Sequence, residues 1–248
     1  MAGKDQVWQQ AEIVASYLSG VRGAIPFASE QLRLIVAILR SCERPIQRVL
    51  DLGCGDGVLA GAILESFPKT QATLADFSES MLDAAKLRLR RWSRRVRLIE
   101  IDYSLPNWTR SVGGGFDAVV SGFSIHHQKD AAKRRIYRDV FQLLNRGGIF
   151  LNLEHVSSST RWTESLHDET FVKALYQFER GRGSLNTLAE LRKEYDHRAD
   201  KAANILAPVE AQCQWLRQMG FNDVDCFFKY FELALFGGRK PTKRKKCG

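Results

Sequence analysis

Residues 49–57, Val-Leu-Asp-Leu-Gly-Cys-Gly-Asp-Gly, constrain the fold of this chain more than any other stretch. A short apolar run over 48–52 stops at Gly53, and a helical pattern follows through Leu59, Ile63 and Leu64 to Phe67. Glycines in such a strand-turn-helix let the backbone bend sharply and approach a ligand with no Cβ in the way. Their spacing is G-x-G-x-G. A dinucleotide fingerprint would need glycine at 58, where Val58 stands. Asp51 lies inside the apolar strand end, where burial is costly unless the carboxylate is hydrogen-bonded, so it either orders this turn or sits near a cationic ligand.

The alternation continues downstream. Strands are predicted over 71–75, 96–101, 116–120 and 149–153, with helices over 78–92 and 129–144, the latter closed by Gly147-Gly148. Strands alternating with helices imply a parallel sheet with right-handed crossovers. Ligands of such sheets bind at the carboxyl ends of the strands, which directs attention to the loops after Leu52, Ala75, Ile101, Val120 and Leu153. Upstream, residues 4–40 read as two helices broken at Ile25-Pro26. Residues 156–207 interrupt the alternation with two or three polar helices, including 169–180 and 185–195. A helix over 208–219 and apolar runs 224–228 and 231–236, separated by Lys229-Tyr230, form a terminal hairpin. The expected organisation is an N-terminal helical cap (1–44), one α/β domain (45–238) with a helical lid insertion (156–207), and a basic disordered tail (239–248).

Composition bounds the function. The chain has 248 residues, 44% hydrophobic and 26% charged, which suits one α/β domain with insertions or two small ones and excludes collagen-like and disulfide-scaffold chains. Five cysteines without a CxxC pair read as reduced thiols of a cytoplasmic protein. No apolar run is long enough to span a bilayer and no leader pattern is present, so export and membrane insertion are not expected. The formal charge of +9 is concentrated in an acid-free cluster over 86–97 and in the tail. The remaining body has 24 basic against 28 acidic residues. The two patches suit weak polyanion or tRNA contact but lie away from the strand ends that carry the chemistry.

Asp76, 19 residues past Gly57, ends the second strand, where an acid can accept two ribose hydroxyls. Asp102 ends the third strand and can accept from an adenine amino group. Glycine loop, ribose acid and base acid on three successive strands point to a nucleoside site; the plainer alternative is that the acids only cap helices.

Asp51-Leu-Gly-Cys-Gly-Asp-Gly57, Asp76 with Ser78-Glu-Ser-Met-Leu82, Asp102, Phe116-Asp-Ala-Val-Val120 and Leu143-Leu-Asn-Arg-Gly-Gly148 resemble the class I S-adenosylmethionine-dependent methyltransferase family. The resemblance covers residues 45–155 and the terminal hairpin in outline. It implies a Rossmann-like α/β sheet of seven strands, mostly parallel with an antiparallel last strand, and S-adenosylmethionine as cofactor. It further implies that Gly53, Cys54 and Gly55 underlie the methionyl part, Asp76 holds the ribose, Asp102 and Tyr103 hold the adenine, and Asp51, Phe77 and Ser121 complete the cofactor site.

Methyl transfer asks the protein for alignment and, with a protonated nucleophile, for a base at the strand ends. His126 and His127 follow the fourth strand, and Glu154 and His155 the fifth, so these four are the catalytic candidates. Packing of one paired histidine under the loop and solvation of the other is the ordinary alternative. Their spacing matches no compact ligand motif, and no metal is expected. Tyr17, Arg22, Tyr176, Tyr195, His197 and Arg198, on the two helical segments, are candidates for a substrate pocket, each with a packing role as its alternative. Within the family the chain looks most similar to carboxy-S-adenosylmethionine synthase and related small-molecule methyltransferases, through Ile25-Pro26, Glu154, the helical insertion and Trp215-Leu-Arg-Gln-Met-Gly-Phe221. That synthase has serine where Gly55 stands and tyrosine where Ala28 stands. The resemblance implies a soluble methyltransferase acting on a small molecule by direct displacement, with a tRNA-modification enzyme, either a methyltransferase or like the synthase, as the alternative, and allows a homodimer.

Overall fold

The computed structural model describes residues 21–198, 201 and 203–242. The predicted first helix, with Tyr17, and the end of the basic tail lie outside them. The elements are α1 (Ala28–Arg40), β1 (Arg48–Leu52), α2 (Val58–Ser66), β2 (Gln71–Asp76), α3 (Glu79–Arg88), β3 (Val96–Glu100), α4 (Thr109–Val112), β4 (Phe116–Gly122), α5 (Asp130–Leu143), β5 (Leu144–His155), α6 (Arg161–Gly181), α7 (Leu188–Asp196), α8 (Val209–Gln218), β6 (Asn222–Tyr230) and β7 (Leu233–Arg239). Short 3-10 turns stand at Val21–Ala24, Arg90–Arg95 and Ile125–His127.

The strands form one seven-stranded sheet in the order β3-β2-β1-β4-β5-β7-β6. The first five are parallel; β7 runs antiparallel between β5 and β6. This is the expected sheet. Central parallel strands are covered on both faces, which is why β1 and β4 read as near-continuous apolar runs. The order in which strands are added to the sheet reverses between β1 and β4, and the crevice beyond their carboxyl ends is where such sheets take ligands.

Helix α5 shows how the layers lock. Ile136, Tyr137, Val140 and Leu143 recur at helical spacing and are buried against the sheet. Burying each of the aliphatic three contributes about 1.5–3 kcal/mol relative to exposure. The Tyr137 hydroxyl is buried only because it is paired: it donates to Gln212 Oε1 on α8 and accepts from Asn152 Nδ2 on β5.

Several boundaries differ from those the sequence predicts. Helix α3 stops at Arg88, and the chain tightens into the 3-10 turn around Trp92, whose φ of −113° is not helical. Helix α5 is not closed by Gly147-Gly148. It passes directly into β5 at Leu144, because Leu144 pairs with Phe116 before the bulge that contains the glycines. Helix α6 begins at Arg161, eight residues before the predicted start, where Thr160 and Thr163 form a reciprocal capping box. The hairpin turns at Phe231-Glu232 rather than at Lys229-Tyr230: both of the latter stay paired with β7, and Phe231 takes the left-handed conformation at φ 50°.

The basic cluster over 86–97 is substantially used by the fold. Arg95 donates to the carbonyls of Leu64, Phe67, Pro68 and Thr70, satisfying the carboxyl end of α2. Arg88 pairs with Asp56, Arg91 with Glu65, and Arg97 donates to Ser111 O. Among the described residues no helix is long and apolar enough to cross a membrane.

Candidate active site

The turn after β1 is built by three glycines with positive φ: Gly53 at 66°, Gly55 at 52° and Gly57 at 75°. Gly53 and Cys54 both donate their N–H groups to Ala75 O, at 2.8 and 3.1 Å, which ties the turn to the end of β2. The Asp51 carboxylate accepts from Ala60 N at 3.0 Å, on the first turn of α2, so it orders the turn. Asp76 accepts from Gly55 N at 2.8 Å and from Ser78 N at 3.0 Å. Burial pushes its carboxyl above the usual range, and these backbone donors oppose the shift. Burial also holds the Cys54 thiol well above its ordinary value, which makes it an unreactive part of the loop.

A cavity of about 210 Å³ opens over this turn. Asp51, Gly53, Cys54, Gly55, Asp76, Phe77 and Tyr103 lie on its wall. The Tyr103 hydroxyl meets Ser124 Oγ at 2.5 Å, and Ser124, which sequence reasoning missed, also lines the cavity. Two residues expected at the cofactor do not reach this wall. Asp102 is exposed and accepts from Ser104 N at 2.8 Å in a local turn. Ser121 is fully buried and donates to Leu52 O at 2.7 Å, joining β4 to β1.

The opposite wall carries imidazoles. His126, His127 and His155 line the cavity, and Glu154 lies buried behind them. Glu154 Oε2 is 2.7 Å from His126 Nδ1, its Oε1 accepts from His126 N at 3.0 Å, and its Oε2 also accepts from His155 N at 3.0 Å. Burial raises the Glu154 carboxyl to about 7 and holds His126 well below the usual imidazole value, aided by the nearby His155 and Lys133. His127 packs against His126 with ring centroids 4.0 Å apart and the rings inclined by 46°, and places Nδ1 3.3 Å from Ala203 O. A carbonyl only accepts, so this contact puts the proton on Nδ1 and the basic lone pair on Nε2.

The helical insertion closes the remaining side. Tyr195 and Arg198 lie on the cavity wall with His167 and Phe171. The Tyr195 hydroxyl donates to Asp168 Oδ1 at 2.8 Å, and the Arg198 guanidinium stands 4.7 Å from the Tyr195 ring centre. Tyr176 instead packs beside Ala24, Leu175 and Leu191, away from the cavity. His197 is exposed, with Nδ1 2.7 Å from Lys193 O. Arg22 falls in the turn Val21–Ala24, and its side chain lies outside the described atoms.

Sequence reasoning also missed His167 and Glu232. Glu232 Oε2 is 2.8 Å from His155 Nε2, and its Oε1 accepts from Ser158 N at 3.2 Å. Burial raises its carboxyl, but hydrogen bonds from His155 and Ser158 lead the influences that outweigh burial and lower it. Burial lowers His167 to about 4. A glutamate inside the otherwise apolar run 231–236 is the one signal in the sequence that marked Glu232.

A glycine loop and an acidic strand end that share one cavity at the reversal point of a parallel sheet define a nucleoside-binding α/β protein of the Rossmann-like kind. The methyltransferase-domain family matches residues 49–148. Demethylmenaquinone methyltransferase of Leptospira interrogans is 31% identical over 128 residues, which are 50% of this chain and 49% of that protein. The chain thus spans about half the length of this relative. Carboxy-S-adenosyl-L-methionine synthase of Helicobacter hepaticus is 23% identical over 96% of this chain and 100% of that protein. Among solved structures, PigF with SAH aligns at a TM-score of 0.61 and 16% identity, over 96% of this chain and 62% of that one, a likeness of fold. Residues 49–148 thus match a methyltransferase domain, and the chain is similar along its length to S-adenosylmethionine-dependent enzymes.

The donor set fits that cofactor: an acidic strand end for hydroxyls, a left-handed glycine turn that leaves Gly55 without a side chain on the cavity wall, and the Tyr103 ring beside it.

Proposed function

We propose that this protein transfers a methyl group from S-adenosylmethionine to a small-molecule nucleophile by direct displacement. The observation that carries this reading is that one cavity is walled on one side by the glycine turn and Asp76 and on the other by His126, His127 and His155. The cofactor, when bound, supplies a methyl group on a sulfonium, a good leaving group. Asp76 would hold it by the ribose hydroxyls, and the turn at Gly53, Cys54 and Gly55 would lie under its methionyl end. His127, with its proton fixed on Nδ1 by Ala203 O, takes the acceptor's proton at Nε2. The buried Glu154–His126 pair supports the His127 ring packed against it. Helices α6 and α7 contribute Phe171 and Tyr195 to the wall and limit water at the reacting atoms.

Transfer of labelled methyl from the cofactor to members of a panel of small phenols, thiols, amines and carboxylic acids tests the reading. Label in a small product supports it; label only in tRNA or protein opposes it. The near-complete span shared with carboxy-S-adenosyl-L-methionine synthase, together with Arg198 on the cavity wall, favours a second reading as a cofactor-carboxylating enzyme. Mass spectrometry of the nucleoside extracted from purified protein separates the two, since only the second yields a carboxylated sulfonium.

A further inference from the structure

Three side chains far apart in sequence meet at one end of the cavity. His155 ends β5, His167 stands on the second turn of α6, and Glu232 occupies the turn between β6 and β7. His155 Nε2 is 2.8 Å and His167 Nε2 3.8 Å from Glu232 Oε2, and the three donor atoms all lie within 4.8 Å of one another. Both imidazoles line the cavity, and Glu232 is buried behind them.

Two imidazole nitrogens and one carboxylate oxygen are the donor set of open zinc and mononuclear iron sites, which keep coordination positions for water or a ligand. Donors around a tetrahedral zinc with bonds of about 2.0–2.1 Å stand roughly 3.4 Å apart. Separations of 2.8 and 3.8 Å bracket that spacing, so small side-chain adjustments seat an ion. Two of the three ligands are also held from outside. Glu232 Oε1 accepts from Ser158 N, its backbone oxygen accepts from Val156 N at 2.7 Å, and Asn204 Nδ2 lies 3.5 Å from His155 Nδ1. Such outer contacts orient metal ligands in built sites.

We propose that His155, His167 and Glu232 bind one divalent transition-metal ion, zinc by preference, with its open coordination positions facing the cavity. Those positions take an oxygen or sulfur donor of a small molecule held there. This goes beyond the methyl-transfer reading and stands apart from it: cofactor binding is measured separately, so either can fail alone.

The test uses the full chain, freed of metal with a chelator and then titrated with zinc against a chromophoric competitor. Cobalt supplies a spectroscopic probe through its visible d–d bands. The expected result is one equivalent of zinc, reduced below about a tenth of an equivalent in His167→Gln and in Glu232→Gln, with circular dichroism and cofactor binding retained. Histidine ¹⁵N spectra of the unsubstituted protein decide the matter even if a variant fails to fold, because zinc must perturb two imidazoles. The proposal is overturned by less than about a tenth of an equivalent at about 100 μM zinc, by a full equivalent in both folded variants, or by unperturbed imidazoles.

Discussion

Ser124 occupies the space that a side chain on Gly53 would need: a Cβ built on Gly53 would fall 1.8 Å from Ser124 Oγ and 2.4 Å from Ser124 Cβ. The loops after β1 and β4 therefore touch at the cavity floor, and Tyr103 closes the contact through its hydroxyl. Gly53→Ala meets both this overlap and a φ of 66°. Strain of this kind costs on the order of 1–3 kcal/mol. Thermal melts are expected to show a destabilised but folded variant, and calorimetry a loss of cofactor affinity of at least about tenfold.

Asp76 holds the turn and faces the cavity with the same carboxylate. In Asp76→Asn one of its two backbone donors meets an amide N–H instead of an oxygen, leaving a buried donor unsatisfied at a cost of about 1–3 kcal/mol. Asp76→Ala loses both contacts. Cofactor binding measured by calorimetry is expected to fall in the order wild type, Asn, Ala, with Ala weaker by at least about a hundredfold.

His127 tests the base. With an acceptor found in the labelled-methyl panel, His127→Ala is expected to lower kcat by about 10²–10⁴-fold with cofactor affinity unchanged. An acceptor with no proton to lose in the transferring step is expected to be far less affected. Equal losses for both kinds of acceptor would assign His127 to positioning.

Arg95 separates structural from surface charge in the basic cluster. Its guanidinium serves four carbonyls at the end of α2 and in the loop that follows it, whereas Arg94 is exposed. Charge-assisted hydrogen bonds contribute about 1.5–3 kcal/mol. Urea unfolding is expected to show Arg95→Ala destabilised by about this amount and Arg94→Ala within about 0.5 kcal/mol of wild type.

Thiol chemistry follows from burial. The Cys54 thiol is held well above its ordinary value and Cys213 is pushed up to about 11, both chiefly by desolvation. At pH 8 the reactive thiolate is scarce at both, and its fraction grows as pH rises toward those values. Peptide mapping after brief alkylation at pH 8 is expected to leave both unlabelled in the folded chain and labelled after denaturation.

The parallel half of the sheet was legible because one periodic signal recurs: a short apolar run, a turn, then a helical face. The glycine turn was legible for a stronger reason, since three left-handed positions in five residues admit little but glycine. Local patterns gave less at the edges. The start of α6 carries few apolar residues, and its signal is the Thr160–Thr163 cap rather than periodicity. The hairpin was shifted by two residues because Lys229 and Tyr230 look like turn material yet pair in register, while Phe231 accepts an unusual backbone conformation. His155 was placed at the cavity by its strand end, but His167 and Glu232 come from a helix and a turn 12 and 77 residues further along the chain. Only the fold brings them together, so no spacing rule could have joined the three.

Titration of the full chain with S-adenosylmethionine, or with its demethylated product, tests the central claim most directly. Isothermal calorimetry is expected to show one site with an affinity in the range of about 1–100 μM, abolished in folded Asp76→Ala. No heat and no thermal shift with a well-folded chain at millimolar ligand, or equal affinity in Asp76→Ala, would contradict it.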